Sequence, residues 1–421
     1  MSKSVLLTMP DYCGSLAAAR SLGRSGYEVW MSGDSLRAPA MHSSFVTKKV
    51  LSPPVTDPNA WLEWLVSFGQ QNPGAVLYPT CDDLAWLQAL HAPKLSPYFK
   101  LWAPPVEVYE ELLDKARLAK ACAKVGLETP HTLAPTDEAS LEVAVREAQL
   151  PVLIKQRTQI FSKTNHKGVM VRERSQLAEK FRAFRDSNRH HRGLAARLQH
   201  ASQPLLQQYF PEAVNGSLQV SGFIDETGKL FVARAANKLL QRPKTLGISL
   251  CLEATPLSRE LAEQIRALCL ETGYFGVFGI EFLQVGGRPL LIDFNPRYYH
   301  FMALDIARGM PLPVMTTLAA NGEWDQLEAE VRRAQVDVPG VDAFTYRFQL
   351  KELLLAQAAT GTMPVGESLR WWRWYRSHHD SLVDAVDDEG DHLPHVVDVV
   401  GGIARRLRHP MTFIRRVALD R

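Results

Sequence analysis

The stretch GIEFLQVGGRPLLIDFNPRYYH, residues 279–300, constrains the fold more than any other part of the chain. Its apolar residues read as two β-strands around a glycine pair. The strands nevertheless carry Glu281, Asp293 and Asn295 and end on Arg297. Burying one unpaired carboxylate is costly and burying two is worse, so a cation belongs among them. A turn of only Gly286 and Gly287 would set Glu281 opposite Ile292 and turn Asp293 to the other face. A three-residue turn, Gly286 to Arg288, puts Glu281 opposite Asp293 with Asn295 on the same face. Gly-containing turns of that length are common, and Pro289 then starts a strand, where its missing N–H is tolerated. The expectation is three oxygen donors converging beside Arg297. Mg²⁺ takes oxygen ligands, usually one or two carboxylates together with substrate phosphates. A solvated surface hairpin is the plain alternative; the register and the adjacent arginine favour a Mg-nucleotide site.

The rest of the chain supplies the setting. Its 421 residues suggest about three domains. A formal charge of +3 is too small to argue for nucleic acid or an anionic membrane as partner. The five cysteines, Cys13, Cys81, Cys122, Cys251 and Cys269, show no CxxC and no metal-ligand spacing, and read as buried thiols in a reducing compartment. The first residues have too short an apolar run for a signal peptide, and no run approaches the ~20 apolar residues of a spanning helix. The chain reads as cytoplasmic, with no membrane span.

SVLLTM, then a helical piece with Leu16, Ala19 and Leu22 on one face, then GYEVWMS make a βαβ opening. Its first loop has only Gly14, so a dinucleotide fingerprint is absent. PGAVLYPT is a further strand, and CDDLAWLQALH a helix whose start is marked by its two aspartates. After a Pro-rich connection, a helical stretch runs to Gly126, a C-terminal stop. PVLIKQ and KGVMVRE are strands, and SNRHHRGLAARLQHASQ reads as a polar, basic connection. Three strand-like segments, an amphipathic helix and the hairpin follow. Beyond Trp324 the pattern is helical, with an aromatic–basic run, LRWWRWYRSHHD, and a basic amphipathic tail.

With these pieces around it, the hairpin resembles the ATP-grasp superfamily, whose signature is an acid-bearing strand, a turn and (E/D)xNPR. Here that is Glu281 and DFNPR. DKARLAKACAKVGLETP is similar to the family's Asp-Lys helix, PVLIKQ to its strand with an inward lysine, LLQQYFPE to its hinge strand, and ANKLLQRPKTLGIS to a strand and loop with a further basic residue. The resemblance covers about residues 1–320. It implies an α/β and α+β fold: a pre-ATP-grasp Rossmann-like domain, 1–108; a two-lobed ATP-grasp domain, 109–322, with a smaller lobe about 130–203 and a larger about 204–322; and a mostly helical C-terminal extension or lid, 323–421.

It also implies residue roles. Lys115 and Lys155 contact nucleotide phosphates, Lys155 also reaching adenine, while Gln207, Gln208, Tyr209 and Phe210 line the adenine slot through their backbone. Lys238 approaches the γ-phosphate or the substrate carboxylate, in competition with its neighbours Arg234, Arg242 and Lys244. Glu281, Asp293 and Asn295 hold one or two Mg²⁺, with Mn²⁺ a substitute, and Arg297 steadies the acyl phosphate and the tetrahedral intermediate. Three departures stand out. Asp293 replaces a common Glu. The phosphate-covering loop has only Gly168, leaving Lys163, His166 and Lys167 to replace backbone donors. For the ribose the nearest acid is Glu212.

The function implied is a ligase that activates a carboxylate as an acyl phosphate and joins it to an amine, releasing ADP and phosphate. A non-catalytic ATP-binding module on the same fold is the second reading. A nicotinamide enzyme lacks its fingerprint. Contact of RWWRWYR and the basic tail with nucleic acid or lipid is weighed against packed tryptophans and a solvated face, which are favoured. The partners are a small-molecule carboxylate and an amine, with a homodimer the commonest assembly. Tyr298–Phe301 is read as an acceptor-pocket wall or core. Asp11, Asp82 and Asp83 sit at strand ends where open sheets bind ligands, with helix capping favoured for Asp82 and Asp83.

Overall fold

The computed structural model describes residues 3–164, 168–213, 216–242 and 247–418. His166, Lys167 and Lys244 lie outside them.

Three sheets carry the molecule. The first is parallel and five-stranded: β1 (Ser4–Leu7), β2 (Glu28–Gly33), β3 (Val46–Leu51), β4 (Ala75–Leu77) and β5 (Phe99–Lys100), in the order β3-β2-β1-β4-β5. Strands buried on both faces read as continuous apolar runs, and β1 shows why. Val5 and Leu7 enter one hydrophobic cluster and Leu6 another. Each of these clusters also contains residues of the largest sheet, so the first domain shares both its cores with its neighbour.

The second sheet is antiparallel: β6 (Thr132–Leu133), β7 (Val152–Lys155), β8 (Gly168–Val171) and β9 (Leu205–Gln208), in the order β6-β9-β7-β8. It has a core of its own, in which Val152, Ile154 and Leu206 pack on Leu141, Phe181 and Phe184. β9 pairs with β6 and β7, so the smaller sheet runs past the lobe boundary expected at 203. The segment read as a plain basic connection contains a helix, Arg192–Arg197, whose Leu194 reaches the large core.

The third sheet joins β10 (Ser217–Ile224), β11 (Phe231–Arg242), β12 (Ile248–Thr255), β13 (Gly276–Val285), β14 (Arg288–Asn295), β15 (Ala343–Thr345) and β16 (Leu382–Asp384), in the order β14-β13-β10-β11-β12-β15-β16. The last two strands come from the mostly helical C-terminal segment, which is thereby built onto the larger lobe. In that segment Trp371 is buried on Leu350 and Leu353, as packed tryptophans require.

The β13–β14 hairpin reaches the expected pairing by a different route. Its turn is the two-residue one, Gly286 and Gly287, with φ of +57° and +79°. Positive φ at both centres is the glycine-favoured hairpin turn. Val285 therefore faces Arg288, and Phe282 faces Leu291. A bulge then skips Ile292 and restores Glu281 opposite Asp293. Bulges re-aim side chains near functional sites.

The helical run before Gly126 is split at Asp114. The Asp114 carboxylate accepts from the amides of Ala116 (2.9 Å) and Arg117 (3.2 Å) and from Arg157 Nε (2.7 Å). It thus caps a new helix, Lys115–Lys124, whose first residue is Lys115.

The N-terminal domain and the C-terminal segment are held together by a buried ion pair. Arg20 Nε donates to Asp391 at 2.8 Å, with side chains 6% and 1% exposed. Asp391 also accepts from Ser43 Oγ at 2.7 Å and the Ser44 amide at 2.8 Å. Burial pushes its carboxyl up, but the Ser44 amide, Arg20 and Ser43 together hold it below the usual range. The unfolded carboxyl titrates near pH 3.9, so this stabilisation is complete at neutral pH and is lost as pH falls through the lowered folded value. Asp391→Ala should lower stability by roughly 3–5 kcal/mol at pH 7, because Arg20 stays buried without its partner. The deficit should narrow in acid, as chemical denaturation at several pH values would show.

Candidate active site

The site grows from the paired strands. Glu281 and Asp293 lie opposite each other with Asn295 further along β14, and all three line one cavity of about 520 Å³. Each carboxylate meets a lysine from another element. Lys115, at the start of its helix and 8% exposed, pairs with Asp293. Lys238, on β11 and 7% exposed, pairs with Glu281. Ser217 Oγ donates to the same Glu281 oxygen at 3.2 Å. Burial pushes the Asp293 carboxyl up, but Lys115, Lys155 and Arg297 bring it below the ordinary range. This is the cationic company that the opening stretch demanded.

Arg297 has partners from two domains. Its Nε donates to Asp82 Oδ1 at 2.8 Å and its terminal nitrogens to Tyr12 OH at 2.9 Å and Asn295 Oδ1 at 2.7 Å. Burial opposes its charge, but Asp82 and Tyr12 raise its pKa further. Asn295 Nδ2 donates to the Gly279 carbonyl at 3.0 Å. The amide is thus fixed from both ends, with the second lone pair of its oxygen turned to no protein donor among the described residues.

A second, narrower cavity of about 170 Å³ adjoins the first. Leu153, Lys155 and Gln207 to Phe210 line it, and it shares Lys115, Lys238, Glu281 and Asp293 with the larger one. Lys155 Nζ donates to Gln207 Oε1 at 3.0 Å. Burial and then Lys115 lower the Lys155 pKa to about 7, against Asp293 and Glu281. The Gln208 and Tyr209 amides donate to His131 and Pro151 carbonyls at 2.9 Å. Those two N–H groups are therefore committed to the protein.

Two expected residues are not brought to either cavity. Lys163 is exposed, on a loop whose backbone is held by the Arg189 carbonyl at 2.8 Å. Glu212 is exposed on a single 3-10 turn, Pro211–Ala213, and only Ala213 of that turn reaches the slot. The basic residues of β11 differ in position, with Arg242 lining a separate cavity of the C-terminal segment. Arg234 is buried against the carbonyls of Asp305 and Ala334, both at 3.1 Å, whereas Lys238 faces both cavities.

Helix capping does not hold for Asp82 and Asp83. Cys81 occupies the cap position of their helix and makes no side-chain cap. Asp82 binds Arg297, and Asp83 accepts the Phe161 amide at 2.6 Å, tying the loop after β7 to the first domain. Burial lifts the Asp83 carboxyl to about 6. Tyr298 belongs to the core, its ring 4.7 Å from that of Tyr78, while Tyr299, His300 and Phe301 line the larger cavity beside Asp11 and Tyr12. The sequence reading missed Tyr12, Gln219, and the cavity residues of the C-terminal segment, Tyr346, Gln349 and Asp398. None sits in a local pattern; an acid facing inward from an apolar helix was the only available sign, for Asp398.

The donor set suits a hard cation. No group of three His, Cys, Asp or Glu able to hold a metal occurs among the described residues. An ion here would rest on two carboxylates and an amide oxygen, completed by phosphates and water, which is how Mg²⁺ is usually held.

No protein-family model matches the chain, and no curated protein matches it in sequence. Solved structures do match. The biotin carboxylase domain of 2-oxoglutarate carboxylase from Hydrogenobacter thermophilus, a dimer in complex with MgADP, ADP and bicarbonate, aligns over 79% of this chain and 70% of its own at 16% identity, TM-score 0.59. N5-carboxyaminoimidazole synthetase from Staphylococcus aureus aligns over 76% and 77% at 13% identity, TM-score 0.56. L-amino acid ligase from Bacillus licheniformis aligns over 75% and 73% at 14% identity, TM-score 0.55. At these identities the likeness establishes the fold.

Lys155 offers a test of the site's electrostatics. Its folded pKa of about 7 lies below the ordinary lysine value of about 10.4. Between these values the unfolded chain binds the extra proton, so stability should rise with pH across that window. Lys155→Met should flatten that rise, measured as thermal midpoint against pH without nucleotide.

Proposed function

From the ATP-grasp fold that this chain carries, we propose that the protein is an ADP-forming ligase that activates a carboxylate as its acyl phosphate and joins it to an amine. The observation that carries this reading is the meeting of a narrow slot and a wider cavity at Lys115, Lys238, Glu281 and Asp293. Nucleotide enters the slot between Lys155 and the Gln207–Phe210 strand, and its phosphates point to the shared wall. The acid and amine use the larger cavity, beside Arg297.

Phosphoryl transfer is mostly positioning and charge neutralisation. Lys115, Lys155 and Lys238 supply preorganised positive charge where water is largely excluded, which is where such charge acts most strongly. Mg²⁺, one ion or two, bound by Glu281, Asp293 and Asn295 would neutralise phosphate charge as an anionic carboxylate approaches. The carboxylate oxygen bonds to the γ-phosphorus and ADP leaves. The amine nitrogen then bonds to the acyl carbon, phosphate leaves and the nitrogen loses a proton. Arg297, fixed by Asp82 and Tyr12, stands ready to steady the charge on the tetrahedral oxygen. The C-terminal residues Tyr346, Gln349 and Asp398 shape the acceptor side. The division proposed with this function is a first domain to about 108, a nucleotide-binding domain to about 322, and a remainder that adds β15 and β16 to the largest sheet and walls the acceptor cavity.

The test is ADP release with pairs of carboxylates and amines, followed by mass measurement of the product. Glu281→Gln and Asp293→Asn should each lower ADP formation by roughly 10²-fold or more. Wild-type turnover in both variants would remove the metal assignment. ATP that stabilises the protein yet is hydrolysed with no acid–amine pair would favour the non-catalytic module. Protonated Lys155 should also favour phosphate binding, so calorimetry in buffers of different ionisation heat should show proton uptake with ATP above pH 7, and none in Lys155→Met.

A further inference from the structure

The basic tail retains a feature that the ligase reading does not use. The helix Leu393–Arg408, with the short Pro410–Phe413 helix beyond it, turns its apolar face outward. Leu393, Val396, Val400, Ile403 and Leu407 follow one another at three- and four-residue steps, the spacing of one helical face, and Met411 follows beyond the non-helical His409. They are between 46% and 78% exposed, and Ile414 continues the row. The inward side is small and polar. Pro394 and Gly402 are buried there, Asp398 lines the larger cavity, and Arg406 pairs with Glu352. A helix of a soluble monomer normally buries the apolar face and exposes the polar one. This one does the reverse, and long exposed apolar rows mark contact surfaces.

Charge decides what covers it. Between Val399 and Ala418 the sequence has five arginines, Arg405, Arg406, Arg408, Arg415 and Arg416, and no acid. Arg408 and Arg415 are exposed and each follows a residue of the row, Leu407 and Ile414, so they border it. A second copy laid stripe on stripe in parallel would bring two cationic flanks together, with Asp398 of each turned inward. A bilayer bearing anionic headgroups accepts both features at once: the row enters the interface and the exposed Arg405, Arg408 and Arg415 reach the phosphates. No helix among the described residues is long and apolar enough to cross a membrane, so this contact lies on the surface. We propose that the outward face of Leu393–Ile414 docks the protein on an anionic phospholipid bilayer, leaving Asp398 directed at the acceptor cavity.

The test is co-sedimentation of the full chain with vesicles of phosphatidylcholine alone, or with one quarter phosphatidylglycerol. Partition should be roughly tenfold or more stronger on the anionic vesicles, since each basic residue near such a surface adds to binding. The double substitution Val400→Asp with Leu407→Asp should abolish it, with circular dichroism and the ATP-induced rise in melting temperature unchanged. Arg408→Glu with Arg415→Glu should remove only the anionic preference; these exposed positions keep the test valid if the first variant does not fold. Absence of binding to anionic vesicles, or binding that survives both variants, overturns the proposal. So does a dimer by light scattering that Val400→Asp with Leu407→Asp converts to monomer while vesicles bind neither form.

Discussion

Two half-buried carboxylates facing each other across a hairpin demand positive charge, and the rest of the site is arranged to supply it. Asp293 receives Lys115 from a helix start and Glu281 receives Lys238 from the strand beyond β10. These cations arrive on segments far apart in the chain. The need to neutralise one pair of acids therefore orders a helix, a central strand and the hairpin about a single point. The Asp114 cap is part of this, because by restarting the helix there it fixes where Lys115 begins.

Arg297 extends the same logic across a domain boundary. A buried guanidinium needs a carboxylate, and Asp82 provides it from the first domain. Asp83, the next residue, holds the Phe161 amide of the smaller lobe. One helix start thus touches the larger lobe through one aspartate and the smaller lobe through the next. The N-terminal domain is a structural support for the site as well as a source of cavity wall, consistent with its cores being continuous with those of the largest sheet.

Much of this was legible in the sequence, but for uneven reasons. Acids in an apolar hairpin are locally anomalous, and so is Lys155 closing an apolar strand; a single sequence displays such anomalies. The pairing of Glu281 with Asp293 was read correctly from the wrong turn, since a two-residue turn and a bulge give the same result as a three-residue turn. A bulge leaves no mark in apolar letters. Asp82 and Asp83 looked like caps because an acid at a helix start has that default use, and their partners lie 215 and 78 residues away. Glu212 was the nearest acid in the chain and Lys163 the charge in the expected phosphate-covering loop, and neither reason fixes the direction a side chain takes from a turn. The outward face of the last helix was beyond reach altogether: its spacing announces an amphipathic helix, and only tertiary packing reveals which side is turned in.

The smaller lobe has its own apolar core, while the first domain and the larger lobe share theirs. Yet Ile160, Phe161, Leu194, Leu198 and Ala201 of that lobe sit in the core shared by its neighbours, so it cannot swing away as one piece without exposing apolar surface to water. What holds it at the cleft is apolar as well as polar: the Phe161 ring meets Trp86 edge-on, beside the contacts of Asp83 with the Phe161 amide and of Arg157 with Asp114.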